Sequence, residues 1–487
     1  MTSGTLTFPA RSLVDIAPLA PELVVIIGAF ALLMLDLFID ERRRFLTHAL
    51  AVVVLLVAAA MIAGGVGGQG AVLADMFFRD TASDVMKIAI LLVSAVALAY
   101  IWPYLRERNL YKGEVSVLAL FAVVGMMLMV SAGNLTMVYV GLELLALCSY
   151  ALVVTDRESP LASESGMKYF VLGSLASGML LYGMSLVYGA TGSLDLATIN
   201  NVAYTVAGED RTLLLTGVVF IVVGVAFKFG AAPFHMWLPD TYHGAPTPIT
   251  LFIGSAPKIA AFGMAWRLFD VALGPMQEQT QLLLAGLAAL SLAVGNLFAI
   301  AQTNLKRMLA YSTVSHVGFL FLGLAGGGED GHAAAMFYAI SYAIMSAAAF
   351  GAIVMLSRNG FEADRIDDFK GLNARSPWMA LMVLFIMASL AGVPPFLGFW
   401  AKLVVLRAAL EGDLMWLAIV GIVFAVIGAF YYLRVIKVMY FDQPSSERIE
   451  PRSSRPLRAL FVANAVVLFV LGLFWSPLMQ WCQQAFA

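Results

Sequence analysis

The sequence predicts an all-α, polytopic membrane protein of about fourteen transmembrane helices, and three observations lead to this fold class. Of its 487 residues, 61% are hydrophobic and 12% are charged, whereas soluble globular proteins carry about 25% charged residues. Long apolar runs recur along the whole chain, and a membrane-spanning helix needs about 20 such residues. The runs at 52–60 and 381–390 are apolar at almost every position, whereas barrel strands alternate, so the spans are predicted to be helices.

Fourteen apolar runs are bounded by charged residues, prolines or glycine clusters. We predict transmembrane helices at roughly 21–39, 47–66, 85–101, 114–132, 134–154, 167–190, 212–239, 248–269, 281–300, 307–326, 333–357, 377–406, 414–437 and 459–480. The first twenty residues hold one arginine and no continuous apolar core, so we expect no cleavable signal peptide. The first helix is therefore expected to be part of the fold.

Two of the runs, the seventh and the twelfth, contain helix breakers near their centres. Superposing Pro233 on Pro395 also aligns Gly230 with Gly392, and the period is 162 residues. Paired interrupted helices in two halves of a chain are the sequence sign of a repeat transporter. Since one period covers five helices, an odd number, the second copy is predicted to be inverted. We divide the chain into N-terminal helices 1–3 (1–113), a first repeat of helices 4–8 (114–269), a second repeat of helices 9–13 (277–437) and a C-terminal loop with helix 14 (438–487).

Each break is predicted to free a backbone carbonyl. A proline lacks an N–H group, so the carbonyl four residues before it loses its helical partner; here these are the carbonyls of Phe229 and Ala391. Inside a bilayer such groups are tolerated only where protein or water satisfies them. We therefore expect a functional site beside the two breaks.

Four ionisable residues remain near mid-membrane once loops and helix ends are set aside. They are Glu143, Lys228, Lys258 and Lys402, in predicted helices 5, 7, 8 and 12. Each costs at least about 2.5 to 3.5 kcal/mol at the centre of a helix, and such a residue is a functional candidate by default. The alternative is a buried ion pair that only holds helices together. Three lysines and one carboxylate do not pair off, which favours function.

Histidines provide weaker candidates for proton relay. His235 and His243 flank Asp240 in the predicted connection from helix 7 to helix 8, where collecting protons competes with ordinary loop hydrogen bonding. His316 lies in predicted helix 10 close to two serines, where it either continues a polar chain or is a satisfied structural group.

Composition excludes several other classes of function. The net charge is −2 and no basic cluster is interleaved with aromatic residues, so nothing indicates a nucleic-acid site. The loops are too short for a domain that binds a nucleotide or large cofactor. Cys148 and Cys482 cannot form a disulfide framework or a metal cluster, and the histidines lack metal-ligand spacing with them. We therefore expect neither a metal nor a redox cofactor in this chain.

Basic residues are distributed unevenly between the two sides of this topology. The connections after odd-numbered helices hold nineteen: Arg42, Arg43, Arg44, Arg106, Arg108, Lys112, Arg157, Lys168, Lys306, Arg307, Arg358, Arg365, Lys370, Arg375, Lys437, Arg448, Arg452, Arg455 and Arg458. The other side holds six: Arg11, Arg79, Lys87, Arg211, Arg267 and Arg407. Since the excess of positive charge marks the cytoplasmic side, both termini are predicted to be periplasmic.

Several long motifs contain the same residues. They are GLELL at 141–145, KYFVLGS at 168–174, FKFGAAPFHMWLPD at 227–240, PK at 257–258, KRMLAYS at 306–312 and GVPPFLGFWAK at 392–402. Over nearly its whole length the chain closely resembles the antiporter-like membrane subunits of respiratory complex I, and among them the bacterial N-type. It has no residues for the long lateral C-terminal helix of the L-type. The M-type usually has a glutamate where Lys402 stands.

The resemblance implies a proton-pumping subunit of the membrane arm of NADH:quinone oxidoreductase, with fourteen helices and two inverted five-helix repeats. By motif match, Glu143 is the family's helix 5 carboxylate, Lys228 its helix 7 lysine, Lys258 its connecting lysine on helix 8 and Lys402 its terminal group on helix 12. It also implies a hetero-oligomer with M-, K-, J- and A-type subunits in the bacterial inner membrane. Flavin, iron-sulfur clusters and quinone are expected in those partner subunits.

The charges of these residues are suited to such a role. Burial lowers the pKa of a lysine and a nearby carboxylate raises it. One such pair, at about 4 Å and an effective dielectric constant of about 20, is worth roughly 4 kcal/mol, more than the cost of about 2.3 kcal/mol for moving a charge against 100 mV. Neutralising or moving Glu143 is therefore expected to release a proton from Lys228, which passes by way of Lys258 to Lys402.

Two other functions remain open from the sequence alone. A subunit of an Mrp-type cation/proton antiporter would share the fold and the same four residues. A non-pumping membrane scaffold would tolerate leucine in place of the mid-membrane lysines.

Overall fold

A computed structural model describes residues 13–40, 43–444 and 454–487 of the chain. Four basic residues counted for orientation lie outside these ranges: Arg11, Arg42, Arg448 and Arg452. The described residues are almost entirely helical, with one small hairpin after the second helix. A membrane protein is expected to be built this way, since a helix satisfies its backbone hydrogen bonds internally.

The elements in chain order are a 3₁₀ segment Leu13–Leu19, α1 (Ala20–Asp36), α2 (Phe45–Ala63), β1 (Gly70–Val72), β2 (Phe77–Arg79), α3 (Thr81–Glu107), α4 (Gly113–Val130), α5 (Leu135–Val153), α6 (Pro160–Thr191), α7 (Leu196–Ala203), α8 (Gly208–Phe229), α9 (Trp237–Gly244), α10 (Thr247–Gly254), α11 (Ala256–Trp266), a π turn Arg267–Ala272, a 3₁₀ turn Gly274–Met276, α12 (Gln277–Ala301), α13 (Leu305–Gly326), α14 (Gly328–Leu356), a 3₁₀ turn Ile366–Phe369, α15 (Leu372–Arg375), α16 (Pro377–Ala391), α17 (Leu397–Glu411), α18 (Met415–Phe441), α19 (Arg455–Leu473) and α20 (Ser476–Gln484). Strands β1 and β2 pair antiparallel, with Ala71 opposite Phe78.

Among the described residues, 13 helical segments are long and apolar enough to cross a membrane. The fourteenth predicted span is the pair α16 and α17, which is interrupted between Ala391 and Leu397. The predicted fold class is therefore confirmed: an all-α polytopic membrane protein with discontinuous seventh and twelfth spans.

The two predicted breaks have the same backbone geometry. Gly230 follows the last residue of α8 and Gly392 that of α16, with φ of 76° and 84°, a left-handed conformation that glycine adopts without steric cost. The N–H groups of Gly230 and Ala231 donate to the carbonyls of Phe227 and Ala226, and those of Gly392 and Val393 donate to the carbonyls of Ser389 and Ala388. Each pair of equivalent positions differs by 162 residues, which is the period of the repeat.

The eighth span contains a third interruption, and the sequence prediction of one continuous helix at 248–269 was wrong in this detail. Helix α10 ends at Gly254, Ser255 has φ −114° and ψ −91°, and α11 begins at Ala256. Pro257 lies in the first turn of α11, where a helix tolerates its missing N–H. The restart places Lys258 in the first turn of a half-helix, close to the end of α8.

The core of the bundle lies around the eighth span and helices α13 and α14. The most apolar stretch is 100% buried in the eighth span and 94% buried in α13 and in α14, whereas only 28% is buried in α19 and 39% in α2. Peripheral helices expose large apolar side chains such as Ile27 and Phe430. Such exposure suits a lipid environment, so the outer helices face the bilayer and the three central spans lie beside the site.

Candidate functional site

The second break brings Lys402 against the carbonyls that the break frees. Lys402 lies on α17 with 8% of its surface exposed, and its Nζ donates to the carbonyl oxygens of Ala391 at 2.8 Å and Leu390 at 3.1 Å. The Phe319 ring lies 5.2 Å from Nζ. Gly392 also leaves room for this lysine, because a Cβ at Gly392 would lie 2.9 Å from Lys402 Cδ. The structure thus places Lys402 beside the second break.

The first break is arranged in the same way with a lysine from another helix. Lys258, on α11 and 2% exposed, donates from Nζ to the carbonyl oxygen of Phe229 at 2.7 Å. The indole ring of Trp237 lies 5.7 Å from this Nζ, and its Nε1 donates to the carbonyl of Phe227 at 2.9 Å. Both carbonyls that the sequence predicted to be freed, those of Phe229 and Ala391, therefore accept a hydrogen bond from a buried lysine.

Glu143 and Lys228 meet at a small cavity between α5, α6 and α8. Both side chains are half-buried and line a space of about 20 Å³ together with Ser177 and Tyr150, room for one water molecule. The Ser177 hydroxyl donates to Glu143 Oε1. The two charges interact across the cavity without forming a direct ion pair between the described atoms. Lys228 is also near enough to Lys258 for their positive charges to repel.

His316 lies at the centre of a buried hydrogen-bond network. It is 3% exposed; its Nδ1 is 2.7 Å from the hydroxyl of Tyr338, and its Nε2 is 3.0 Å from the hydroxyl of Tyr432. The Tyr432 hydroxyl also bonds to that of Ser312. This network joins α13, α14 and α18, and the positive charge of Lys402 acts on His316. The structure therefore places His316 on the Lys402 side of the site.

The connection between α8 and α10 separates the other two histidines. His235 follows Pro233 in the break and is half-buried, with its ring 6.2 Å from that of Tyr311. Asp240 instead forms ion pairs with Lys168 at 2.9 Å and Arg307 at 2.8 Å. Burial opposes ionisation of Asp240, but the hydrogen bonds from these two residues outweigh it and hold the pKa of this carboxyl below its usual range. Asp240 thus fastens α9 to α6 and α13.

Comparison with known proteins agrees with this geometry. The family model described as NADH:quinone oxidoreductase/Mrp antiporter, transmembrane, matches residues 132–428. NADH-quinone oxidoreductase subunit N from Xanthomonas euvesicatoria is 65% identical over 487 residues, which cover 100% of this chain and 99% of the relative. The chain belongs to the subunit N family of NADH-quinone oxidoreductases.

Solved structures show the same fold. A chain of respiratory complex I from Thermus thermophilus superposes with a TM-score of 0.80 at 31% identity, covering 94% of this chain and 98% of that one. A chain of the Mrp complex from Dietzia superposes with a TM-score of 0.84 at 23% identity, covering 96% of each, which shows the fold alone. As a subunit N family member, the chain is a multi-pass membrane subunit of a hetero-oligomeric enzyme complex, as the sequence predicted.

The structure of this subunit N family member also reveals buried charges that sequence reasoning missed. Glu22 on α1 and Lys87 on α3 are fully buried and form an ion pair at 2.7 Å. Lys306, counted in the sequence as a loop residue, is 3% exposed and donates from Nζ to the carbonyl of Ala245 at 2.7 Å. Both lysines lie within two turns of a helix end, so counting charges by loop placed them at the surface.

No cluster of three or more histidine, cysteine, aspartate or glutamate side chains suited to a metal ion occurs in the ranges that the structure describes. Cys148 and Cys482 are both buried and unpaired by a disulfide.

Proposed function

We propose that this chain moves protons across the membrane within NADH-quinone oxidoreductase, through Glu143, Lys228, Lys258 and Lys402, driven by quinone reduction in partner subunits. The observation that carries the proposal is that, at each of the two broken helices, a buried lysine donates a hydrogen bond to the carbonyl that the break frees. Among the described residues, neither Lys258 nor Lys402 has a carboxylate partner; each instead donates to a backbone carbonyl at a break. A lysine without a counter-charge in low dielectric readily loses its proton, which a transfer step requires.

The first step uses the cavity shared by Glu143 and Lys228. While Glu143 is ionised, its charge favours the protonated form of Lys228. When the carboxylate is neutralised or moves away, the proton leaves Lys228 through the water-sized space between them. Repulsion between Lys228 and Lys258 opposes charging both at once, so a proton arriving at one favours release from the other.

The second step carries the proton from Lys258 towards Lys402. His316, with hydroxyl partners on both ring nitrogens, is the relay that we favour, because the charge of Lys402 acts on it directly. His235 is the weaker candidate, since its only described ring neighbour is Tyr311. Neutral imidazole can accept a proton on one nitrogen and release one from the other.

Several finer features complete the proposal. Helices 4–8 and 9–13, at 114–269 and 277–437, act as the two inverted halves of the pathway, with 1–113 and 438–487 flanking them. Both termini are periplasmic. The chain itself holds no flavin, iron-sulfur cluster or quinone, and its neighbours are other membrane-arm subunits of the M-, K-, J- and A-types in the bacterial inner membrane. The high identity with subunit N relatives favours this assembly over an Mrp-type antiporter.

The decisive experiment replaces single lysines in the intact complex. Lys228→Ala and Lys402→Ala should assemble but lose coupled quinone reduction and proton pumping in proteoliposomes. Lys228→Arg should rescue poorly, because arginine does not release its proton in proteins. Lys437→Ala is a matched control, since Lys437 is 67% exposed in its side chain and pairs with Asp442 at 3.4 Å.

Assembly is followed on a native gel, and NADH oxidation with an artificial acceptor checks the rest of the complex. A scaffold role predicts that leucine replaces the buried lysines without loss. Full pumping in Lys228→Arg, with a normal proton yield, would show that position 228 never needs to be neutral and would refute the proposed step.

A further inference from the structure

A polar cavity lies on the face that carries the excess of basic residues, away from the four lysine and glutamate positions. Its volume is about 320 Å³, and it is lined by the end of α3, the end of α9 with the link that follows it, the first turn of α13 and the loop that follows α14. Since a water molecule occupies about 30 Å³ of liquid, this space holds several waters. We call it the basal cavity.

Titratable side chains surround the basal cavity. Those that line it are Asp156, His243, Lys306, Glu362, Asp364 and Arg108, with Tyr104 beside them. Glu362 accepts hydrogen bonds from Arg108 at 2.9 Å, from Tyr104 at 2.7 Å and from Thr247. Asp364 accepts from Asn304 at 2.6 Å and lies 3.7 Å from His243. The charges of Asp240 and Arg307 also act on His243. Carboxylates beside an imidazole can hold and exchange protons with bulk water.

His243 is the imidazole that lines this cavity. Burial lowers the pKa of His243, and the neighbouring charge of Lys306 acts in the same direction. The imidazole is therefore mostly neutral at neutral pH.

Polar groups continue from the basal cavity into the core. Lys306 holds the Ala245 carbonyl at the inner wall. The hydroxyls of Tyr242 and Ser346 are also buried; neither has a protein partner at normal hydrogen-bond geometry, although Tyr242 lies near Thr313 and Ser346 near Tyr342. Both lie next to Gly254, where an added Cβ would be 3.2 Å from Tyr242 Oη and 3.3 Å from Ser346 Oγ. Buried hydroxyls without a protein partner are sites at which water binds.

The last part of this route reaches the relay histidine. Tyr242 faces Thr313 and Tyr342, and the Tyr342 hydroxyl donates to Thr313 Oγ1 at 2.7 Å. The rings of Tyr342 and His316 have centroids 4.8 Å apart. With Ser346, the side chains of Tyr242, Thr313 and Tyr342 therefore form a buried polar cluster on α9, α13 and α14 that reaches the ring of His316.

We infer that the basal cavity is the cytoplasmic uptake site for protons, and that Lys306, Tyr242 and Ser346 with bound water conduct them to His316. The inference rests on the proposed function, which requires a place where protons enter from the cytoplasm. The entry lies where the ends of α3, α9, α13 and α14 meet, and it opens apart from the cavity between Glu143 and Lys228. The ligand of the cavity is water and its excess protons.

The test changes single residues around Tyr242 and Ser346 in the intact complex and measures proton pumping in sealed inverted membrane vesicles. Gly254→Ala inserts a methyl between the two hydroxyls, and Tyr242→Phe removes one of them. Each should lower quinone-coupled proton pumping about a hundredfold at about pH 8, the lower end of the roughly 10² to 10⁴ that a positioned proton-transfer group contributes, and less at about pH 6 where protons are abundant. Gly286→Ala is the control, because an added Cβ there has no neighbour within 4 Å.

Assembly on a native gel and NADH oxidation with an artificial acceptor accompany each measurement. If Gly254→Ala does not assemble, Tyr242→Phe decides. Two single variants separate the uptake route from the proposed function. If Tyr242→Phe pumps at the wild-type rate at about pH 8 while Lys402→Ala does not pump, the uptake route is overturned and the proposed function stands. If the single variant Lys402→Ala also pumps at the wild-type rate, the proposed function is overturned.

A labelling experiment tests which side the basal cavity faces without using activity. Asp156→Cys places a thiol at the cavity, and the native Cys148 and Cys482 are buried, so background labelling is low. A membrane-impermeant maleimide should label this variant in inverted vesicles and not in right-side-out vesicles. Labelling only in right-side-out vesicles would place the cavity on the periplasmic side and overturn uptake from the cytoplasm.

Discussion

The buried ion pair between Glu22 and Lys87 predicts that removing one charge weakens the subunit far more than removing both. The atoms Lys87 Nζ and Glu22 Oε1 are 2.7 Å apart, and neither side chain has any exposed surface. The Phe77 ring lies 4.8 Å from Nζ and helps to exclude water. The change is Lys87→Met, which keeps the length of the side chain and leaves the Glu22 carboxylate without its partner.

The magnitude follows from complete burial. Breaking a buried pair by removing one partner destabilises a protein by about 3 to 5 kcal/mol, because an uncompensated charge remains in low dielectric. At about 1.4 kcal/mol per factor of ten, this is about 10² to 10⁴ in the folding equilibrium. The double variant Glu22→Leu, Lys87→Met removes both charges, and replacement of a buried pair by apolar residues is often neutral or stabilising.

The assay compares the yield of assembled complex on a native gel and the melting temperature of the purified complex. We expect Lys87→Met to assemble poorly or melt earlier, and the double variant to recover. Arg407→Ala is the control, since its pair with Glu411 at 2.8 Å is 77% and 46% exposed and such surface pairs are worth about 0 to 1 kcal/mol.

Two results would refute the reasoning. Normal yield and melting temperature in Lys87→Met would mean that water, a proton or the neighbouring cation Arg79 compensates the charge of Glu22. A double variant that assembles normally but does not pump would mean that the pair takes part in transport and not only in holding α1 against α3.

Three further predictions concern the site and the topology. Gly392→Ala should lower both assembly and pumping, because alanine is strained at φ 84° and its Cβ would lie 2.9 Å from Lys402 Cδ; a variant with wild-type yield and activity contradicts this reading of the break. Glu143→Gln should assemble but turn over much more slowly, with partial activity in Glu143→Asp, and failure to assemble would indicate a structural carboxylate instead. Reporter fusions at Ala487 should be active only when the reporter works in the periplasm, and cytoplasmic activity would reverse the predicted orientation.

The breaks are the part of the site that sequence predicts well. The prolines and glycines act locally, so the freed carbonyls of Phe229 and Ala391 follow from spacing alone. Which side chain satisfies each carbonyl does not follow, because Lys258 is 29 residues from Phe229 in sequence and lies on another helix. The repeat did not help either, since the equivalent of Lys402 one period earlier is Asp240, which lies outside the break and pairs with cations.

The charges that sequence reasoning misplaced share a different cause. Counting by loops assumes that a charge close to a helix end reaches water. Lys87 is the seventh residue of α3, yet the neighbouring α1 and Phe77 enclose it. Pro257 carried a signal for the interruption of the eighth span, but a proline in the first turn also suits a helix start, and only the backbone at Ser255 distinguishes the two.

The hydrogen bonds from Lys402 to two carbonyls determine how much its surroundings must move when the lysine loses its proton. A protonated lysine has three N–H bonds, and two of them donate to Leu390 and Ala391. Loss of the third proton leaves a neutral amine with two N–H bonds, enough to keep both contacts. Lys402 can therefore change charge while its heavy atoms stay in place, so the reorganisation that accompanies each transfer is small. Lys258, which holds one carbonyl, keeps a spare N–H bond in its neutral form and can donate to a second acceptor at the same time.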